Sequence, residues 1–153
     1  MTVDVAVQGD CIPLTGLPAR IVVVDDHQLI RMGLRAALDA EPDFEVCGEA
    51  PDGVSGAEVA LRERPDVVLM DIAMPGVDGI EATSSIVAGW PQAKVLMLTA
   101  FSDVRLVRAA LGAGAYGYVL KDADPRSVIC AVRKALRGVR PISAEITELL
   151  GGG

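Results

Sequence analysis

The chain has 153 residues, which suffices for one domain with its own hydrophobic core. Apolar residues make up 51% of it, charged residues 23% and aromatic residues 3%, so the composition excludes a largely disordered chain and predicts an aliphatic core. The net charge of −7 disfavours direct binding to nucleic acid, whose phosphates require clustered Lys and Arg, and is compatible with a cation site.

From residue 20 onward, short apolar runs alternate with amphipathic stretches, a pattern typical of repeated βα units around a parallel sheet. Residues 1–19 show neither the periodicity of a helix nor that of a strand, and we expect them to form a flexible extension. The five predicted strands comprise residues 21–24, 44–47, 67–70, 95–98 and 115–120. The five predicted helices comprise residues 27–38, 55–64, 80–88, 104–111 and 125–136. Because most of the strands are continuous apolar runs, we predict a doubly wound α/β fold, with helices on both faces of one parallel sheet.

Apolar residues in the first predicted helix recur with helical spacing. Ile30, Leu34, Ala37 and Leu38 stand at positions i, i+4, i+7 and i+8, which places them on one face of the helix. This spacing predicts the first helix.

No segment of the sequence has the character of a membrane anchor. The longest aliphatic runs, residues 21–24 and 67–70, are far shorter than the roughly 18 residues of a membrane span. The N-terminus lacks the basic start and the apolar stretch of about 7 to 15 residues that mark a secretory signal. We therefore expect a cytoplasmic protein without a membrane partner.

The three cysteines, Cys11, Cys47 and Cys130, are widely separated in the sequence. They form no C-x-x-C pair, and no histidine nearby completes a zinc site. We expect reduced thiols, with a redox switch as the alternative.

Polar side chains follow four of the predicted strands at the point where each strand ends. In a doubly wound parallel sheet these carboxyl ends lie along one edge, so the side chains should converge. They are Asp25, Asp26 and His27 after the first strand, Asp71 after the third, Thr99 after the fourth and Lys121 after the fifth. His27 is the only histidine of the chain, and we expect it to interact electrostatically with its acidic neighbours rather than to act in a phosphorelay.

Carboxylates at such close quarters repel one another unless a cation compensates their charge. Mg²⁺ prefers oxygen ligands and typically takes one or two carboxylates, so Asp26 and Asp71 are the expected direct ligands. With the repulsion offset, an Asp oxygen can attack phosphorus and form an acyl phosphate, whose oxygens an ammonium and a hydroxyl can hold. The structural alternatives are that Asp26 caps the first helix and that Thr99 only packs at a strand end. Asp78 is expected to cap the helix predicted to start at residue 80.

Four motifs resemble the receiver domain of bacterial two-component response regulators over residues 20–137. They are Val-Val-Asp-Asp-His at 23–27, Met-Asp-Ile-Ala-Met-Pro-Gly-Val-Asp-Gly at 70–79, Leu-Thr-Ala at 98–100 and Gly-Tyr-Val-Leu-Lys-Asp-Ala at 117–123. Their order and their placement at strand ends make the set specific. The resemblance implies a CheY-like, flavodoxin-like (βα)5 fold with a five-stranded parallel sheet.

The resemblance also implies roles for residues around a phosphorylation site. Asp71 would be the phosphoacceptor. Asp25 and Asp26 would be the acidic pair that binds Mg²⁺ together with Asp71, and the backbone carbonyl of Ala73 would be a further protein ligand to the ion.

A switch beside the phosphoacceptor follows from the same resemblance. Thr99 and Lys121 would contact the phosphoryl group, Thr99 would shift toward it, and Tyr118 would follow as the aromatic switch residue. A sensor histidine kinase would supply the phosphoryl group, and phosphorylation would control transcription through homodimerisation or through release of an attached DNA-binding domain.

Two further runs resemble the NarL/FixJ subgroup, which has LuxR-type output. They are Asp-Asp-His-Gln-Leu-Ile-Arg-Met-Gly-Leu at 25–34 and Leu-Lys-Asp-Ala at 120–123. Members of that subgroup continue into a helix-turn-helix domain, so DNA is an expected partner only through such a C-terminal domain. Residues 138–153 are interpreted as a linker toward it, in which residues 143–150 have the capping residues for one or two helical turns. We expect an isolated receiver domain or a truncated chain.

Two other functions share parts of this pattern. A Mg²⁺-dependent phosphatase of the haloacid dehalogenase type also forms an aspartyl phosphate, but it requires an Asp-x-Asp pair, whereas Asp25 and Asp26 are adjacent. A pseudo-receiver would act as an interaction module that never takes phosphate, yet all of the side chains expected for phosphorylation are present. We therefore expect a phosphorylatable switch rather than an enzyme.

Overall fold

The computed structural model describes residues 12–74, 76–99, 104–120 and 124–142, in which strands and helices alternate. The strands are β1 (Ala19–Val24), β2 (Phe44–Ala50), β3 (Val67–Asp71), β4 (Val95–Thr99) and β5 (Gly117–Leu120). The helices are α1 (Gln28–Asp39), α2 (Gly53–Glu63), α3 (Gly79–Gly89), α4 (Val104–Gly112) and α5 (Pro125–Leu136). Residues 1–11 of the predicted extension lie outside the described residues, and β1 begins at the last residue of that extension, Ala19.

The five strands are parallel, and their order in the sheet is β2-β1-β3-β4-β5. α1 packs near α5 on one face, while α2, α3 and α4 pack side by side on the other. This arrangement confirms the predicted doubly wound α/β fold of the CheY-like, flavodoxin-like class.

Alternate residues of the strands point into two separate core layers. In β1, Val22 and Val24 pack with residues of α2, α3 and α4, whereas Ile21 and Val23 pack with residues of α1 and α5. β3 and β4 are buried along their whole length because helices cover both faces. No helix among the described residues has the length and apolar character of a membrane span.

Aspartate side chains cap three of the helices. The carboxylates of Asp52, Asp78 and Asp124 accept hydrogen bonds from backbone N–H groups in the first turns of α2, α3 and α5, at 2.8, 2.9 and 3.0 Å. The predicted cap of α3 by Asp78 is therefore confirmed. α1 differs, since its N-cap is His27 and no side chain caps it, so the alternative that Asp26 caps this helix is wrong.

The predicted first helix is confirmed, but its apolar face is not buried along its whole length. Ile30 is 40% exposed, whereas Leu34 is half-buried and Leu38 is buried. Arg31 takes the inner position because its guanidinium donates a hydrogen bond to the carbonyl of Asp25 at 2.7 Å. The helix therefore packs on the sheet mainly through its second half.

All five strands differ from their predicted bounds by one to three residues, and the differences in β2 and β5 have a physical reason. β2 extends to Ala50, three residues past its predicted end, because the polar Glu49 interrupts the apolar run without ending the strand. β5 begins at Gly117 rather than at residue 115, since Gly114, with a φ of +107°, still turns the chain out of α4.

After α5 the chain returns to the outer edge of β5. The N–H of Tyr118 donates to the carbonyl of Pro141 at 2.9 Å, and Tyr118 forms a parallel bridge with Ile142. Gly117 permits this approach, because a Cβ there would lie 2.4 Å from the Pro141 oxygen. The described start of the predicted linker thus packs on the sheet, whereas residues 143–150 lie outside the described residues.

The cysteines differ in their chemical state. Cys47 is a free thiol, and burial raises its pKa. Cys130 in α5 is disulfide-bonded, so the prediction of a reduced thiol is wrong for this residue. Spacing along the sequence does not show which thiols a fold brings within bonding distance. Cys11 lies outside the described residues.

Candidate functional site

The carboxyl ends of β1 and β3 form the centre of the candidate site. These strands are neighbours in which Val24 pairs with Met70, so Asp25 follows β1 beside Asp71, the last residue of β3. The chain runs from β1 out to β2 and then back to β3, which makes this edge the topological switch point of the sheet. Open α/β sheets bind their ligands at such points.

Four side chains come together at this edge, those of Asp25, Asp26, His27 and Asp71. Each offers one ligand atom, and these atoms all lie within 4.8 Å of one another. Asp25 and Asp71 are buried, whereas the Asp26 side chain is 24% exposed and gives the cluster access to solvent. His27 is exposed, and its Nδ1 lies 3.1 Å from Oδ1 of Asp26 and 3.4 Å from Oδ1 of Asp25.

Backbone amides orient the two buried carboxylates. The N–H of His27 donates to Oδ1 of Asp25 at 2.9 Å, and the N–H of Ala73 donates to Oδ1 of Asp71 at 3.4 Å. In both cases the donor lies two residues after the aspartate, the arrangement of an Asx turn. Each carboxylate is thus held by the loop that follows it.

The donor set fits a small divalent cation. Carboxylate oxygens are the hard ligands that Mg²⁺ prefers, and a cation would offset the repulsion among three neighbouring carboxylates. Among the described residues, no hydrogen bond reaches the buried Oδ1 of Asp26, although Nδ1 of His27 lies 3.1 Å away, so this atom is suitable as a metal ligand. The exposed imidazole of His27 is a less suitable ligand for Mg²⁺, since nitrogen donors favour transition metals.

α3 begins directly against the backbone of Asp71. A Cβ at Gly79 would lie 2.2 Å from the carbonyl oxygen of Asp71, so only glycine permits this packing. The N–H of Gly79 donates to the carbonyl of Ile72 at 3.2 Å, and Oγ1 of Thr83 donates to the carbonyl of Gly79 at 2.7 Å. These contacts tie the end of β3 to the start of α3, and Ala73 lies exposed in the loop between them.

The predicted switch residues lie on the neighbouring strands. Thr99 ends β4 as a buried residue, one position beyond Leu98, which pairs with Asp71. Tyr118 is fully buried in β5, in the core layer formed with α2, α3 and α4. Thr99 therefore shares the sheet edge of the acidic cluster, and Tyr118 lies in the interior. Lys121 lies outside the described residues.

The sequence alone predicted no role for Arg31, Glu49 or Arg35, which form a charged network next to the acidic loop. Arg31 donates from Nη1 to the carbonyl oxygen of Asp25 at 2.7 Å and from Nε to Oε1 of Glu49 at 2.9 Å. Arg35 also donates to Glu49, and the hydrogen bonds from Arg35 and then Arg31 hold the pKa of Glu49 below its usual range. The apolar periodicity of α1 does not reveal these contacts, because it shows only which residues share a helix face.

The chain has clear relatives among known proteins. The family described as the response regulator receiver domain matches residues 21–133. The chain is 42% identical to the transcriptional regulatory protein LiaR of Bacillus subtilis (strain 168) over 127 residues, which are 83% of this chain and 60% of LiaR. It is 41% identical to the transcriptional regulatory protein DegU of Brevibacillus brevis over 131 residues, or 86% of this chain and 56% of DegU. The chain thus spans less than two thirds of the length of either relative.

A solved structure shares both the fold and the sequence pattern. The crystal structure of a two-component response regulator of the LuxR family, from Aurantimonas sp. SI85-9A1, is 35% identical and has a TM-score of 0.84. The match covers 88% of this chain and 96% of that chain. The family match over residues 21–133 also spans the acidic cluster, Thr99 and Tyr118. The chain therefore belongs to the response regulator receiver domains, a family whose general function is phosphorylation-dependent regulation.

Proposed function

We propose that this chain is a phosphorylatable switch in which Asp71 accepts a phosphoryl group in the presence of Mg²⁺. One observation carries the proposal: Asp25, Asp26 and Asp71 offer ligand atoms within 4.8 Å of one another at the edge where such sheets bind ligands. These three carboxylates and the backbone carbonyl of Ala73 hold the cation. When bound, Mg²⁺ supplies charge compensation for the carboxylates and for the phosphoryl oxygens.

Asp71 acts as the nucleophile. One of its carboxylate oxygens forms a bond to phosphorus while the bond from phosphorus to the donor breaks, and the electron pair of that bond leaves with the donor. The donor is the phosphohistidine of a sensor histidine kinase. Attack through Oδ2 preserves the hydrogen bond from the N–H of Ala73 to Oδ1. The Thr99 hydroxyl and the Lys121 ammonium hold the phosphoryl oxygens.

Phosphorylation alters the domain through Thr99 and Tyr118. Thr99 shifts toward the phosphoryl group and Tyr118 changes its packing in the core layer, so the acyl phosphate favours an active population through contacts that the unmodified state lacks. The active state forms a homodimer. In this scheme residues 1–19 are an extension, residues 20–137 are the receiver domain, and residues 138–153 are a linker to the separate domain through which DNA is bound.

A regulatory role is favoured over an enzymatic one. LiaR and DegU are transcriptional regulatory proteins, which supports a function in the control of transcription rather than turnover of a small substrate. A phosphatase of the haloacid dehalogenase type is disfavoured because its acids are spaced Asp-x-Asp, whereas Asp25 and Asp26 are adjacent. A pseudo-receiver is disfavoured because the acidic cluster contains all three carboxylates.

Intact mass spectrometry after incubation with acetyl phosphate and Mg²⁺ tests the proposal. We expect one phosphoryl adduct on the wild-type chain and none on Asp71→Asn or in the presence of EDTA. Asp78→Asn is the matched control, because it removes an acid from the same loop while Asn still caps α3, and it should keep the adduct. A wild-type chain that gains no adduct and does not respond to beryllofluoride would contradict the proposal and favour the pseudo-receiver.

A further inference from the structure

We propose that Arg31 is a positioning residue for the cation site and that Glu49 holds Arg31 in place. This role rests on the proposed function, because it concerns residues that surround the cation ligands without belonging to them. Arg31 and Glu49 are separate from the cluster of ligand atoms formed by Asp25, Asp26, His27 and Asp71.

Arg31 lies between the acidic loop and the end of β2. Its Nη1 donates to the carbonyl oxygen of Asp25 at 2.7 Å, and its Nε donates to Oε1 of Glu49 at 2.9 Å. Only 14% of the Arg31 side chain is exposed. A planar guanidinium that is bound to two separate acceptors and is largely shielded from water has little conformational freedom. Arg31 therefore fixes the position of the Asp25 carbonyl.

The carbonyl that Arg31 binds belongs to the peptide unit between Asp25 and Asp26. Because this unit is planar, fixing its oxygen also fixes the amide of Asp26 and the direction in which the chain enters that residue. Asp25 is held at two further points, since its N–H donates to the carbonyl of Ala50 at 3.1 Å and its Oδ1 accepts the N–H of His27 at 2.9 Å. The contact from Arg31 thus sets the orientation of the one cluster carboxylate that reaches solvent.

Glu49 also balances the charge of Arg31 beside the cation site. An uncompensated guanidinium close to the carboxylates would compete electrostatically with a divalent cation. Glu49 accepts hydrogen bonds from both Arg31 and Arg35, and Nε of Arg35 lies 3.6 Å from a carboxylate oxygen of Asp39. Two arginines and two carboxylates therefore form a network of zero net charge, which orients the loop without repelling the cation.

A merely structural role for Arg31 would have a different consequence. Loss of a contact between α1 and β2 would lower the free energy of unfolding and leave the affinity of the folded chain for Mg²⁺ unchanged. Loss of a positioning contact lowers that affinity in the folded chain. It leaves the chemistry at Asp71 intact, so a higher Mg²⁺ concentration restores the phosphorylation rate.

Isothermal titration calorimetry of Mg²⁺ with the unphosphorylated chain distinguishes these roles. Arg31→Lys keeps the positive charge but not the two guanidinium donors, and Arg31→Gln removes both the charge and the guanidinium. Glu49→Gln removes the negative charge that pairs with Arg31. Residues that orient metal ligands typically change affinity by 10-fold to 100-fold, so we expect about 10-fold weaker binding for both Arg31 variants and a change in the same direction for Glu49→Gln. Arg62→Gln is the matched control, because its exposed pair with Glu63 lies away from the site, and its affinity should equal that of the wild type.

Phosphorylation by acetyl phosphate gives the second readout. For Arg31→Lys, the Mg²⁺ concentration at half-maximal rate should rise by about 10-fold, while the rate at saturating Mg²⁺ returns to that of the wild type. Circular dichroism establishes which variants are folded, and Arg31→Lys and Glu49→Gln suffice for the test if Arg31→Gln does not fold. Wild-type Mg²⁺ affinity in folded Arg31→Lys and Glu49→Gln would overturn the positioning role and leave the proposed function intact. A wild-type chain that binds no Mg²⁺ would overturn both.

Discussion

Arg133 and Asp43 form a buried ion pair that joins α5 to the segment between α1 and β2. Arg133 donates from Nε to Oδ2 of Asp43 at 3.0 Å and from Nη2 to Oδ1 at 2.8 Å. It also donates to Glu41 at 2.6 Å, and the N–H of Leu14 donates to Asp43. Removing Asp43 takes away the buried carboxylate partner and leaves the buried Arg133 charge beside the partly exposed Glu41, which compensates it less well.

We predict that Asp43→Asn lowers the free energy of unfolding at neutral pH by about 3 kcal/mol. Burial raises the pKa of Asp43, but the hydrogen bonds from Arg133 and from the Leu14 amide outweigh it and place the pKa below its usual range. A lowered native-state pKa means that the pair stabilises the fold above the unfolded-state value of about 3.9, and that this stability is lost as the pH falls through the native-state pKa. Urea unfolding across acidic pH should therefore show a steeper loss in the wild type than in Asp43→Asn.

The exposed ion pair between Arg62 and Glu63 is the control for the buried pair of Arg133 and Asp43. Arg62→Ala, which removes the surface pair with Glu63, should change the free energy of unfolding by less than about 1 kcal/mol. Equal pH dependence in the wild type and in Asp43→Asn would show that Asp43 has an ordinary pKa in the folded chain.

At the scale of single residues, the acidic residues of the site were predictable from the sequence, whereas the residues that hold them in position were not. Asp25 and Asp71 directly follow or end continuous apolar runs, and parallel strands align their ends at one edge. Arg31 stands between apolar residues of α1, and a long side chain can cover its stem while its charged end reaches a distant acceptor. Its contact with the Asp25 carbonyl depends on the three-dimensional position of the loop.

At the scale of elements, Gly79 sets how closely α3 approaches β3. A Cβ there would lie 2.2 Å from the carbonyl oxygen of Asp71, so we predict that Gly79→Ala costs about 2 kcal/mol of stability and slows phosphorylation. In contrast, a Cβ at Gly33 in α1 meets nothing within 4 Å, and alanine is favoured over glycine in a helix interior by about 1 kcal/mol. Gly33→Ala is therefore the matched control and should not lower the free energy of unfolding or the rate of phosphorylation. Urea unfolding and time courses of adduct formation on Gly79→Ala and Gly33→Ala check these expectations. A Gly79→Ala chain that is phosphorylated at the wild-type rate would show that Asp71 does not depend on this packing.

Gly117 has a corresponding role between β5 and the segment that follows α5. We predict that Gly117→Ala displaces residues 139–142 from the edge of β5, because the added Cβ would lie 2.4 Å from the carbonyl oxygen of Pro141. The N–H of Tyr118, which donates to that oxygen, should then exchange with solvent deuterium faster than in the wild type. Unchanged exchange at Tyr118 would show that the segment accommodates a methyl group in place.

The elements themselves were predictable to different degrees. α5 has the predicted bounds because Pro125 is suited to a first helical turn and marks the start of the helix in the sequence. The predicted β2 ends three residues too early, because Glu49 is charged and interrupts the apolar pattern. An edge strand can carry such a polar side chain when residues of a neighbouring helix neutralise it. Local composition therefore locates buried elements well and edge elements less well.

At the scale of the whole molecule, strand order converts separate motifs into one site. β1 lies between β2 and β3, so Asp25 and Asp71 meet although one strand and two helices lie between Asp25 and β3 in the sequence. The alternation of strands and helices leaves few possible strand orders, because crossovers are right-handed and helices cover both faces, and the structure shows which of them this chain adopts. The disulfide at Cys130 was not predictable, since it depends on which distant segments come into contact.

Identifying the phosphorylated residue tests the central claim most directly. Borohydride reduces an aspartyl phosphate to homoserine, so peptide mass spectrometry after treatment with acetyl phosphate and borohydride locates the acyl phosphate. We predict homoserine at Asp71 in samples that contained Mg²⁺ and unmodified aspartate at Asp71 in samples that contained EDTA. Homoserine at Asp25 or Asp26, or an Asp71 that stays unmodified in the presence of Mg²⁺, would contradict the assignment of Asp71 as the phosphoacceptor.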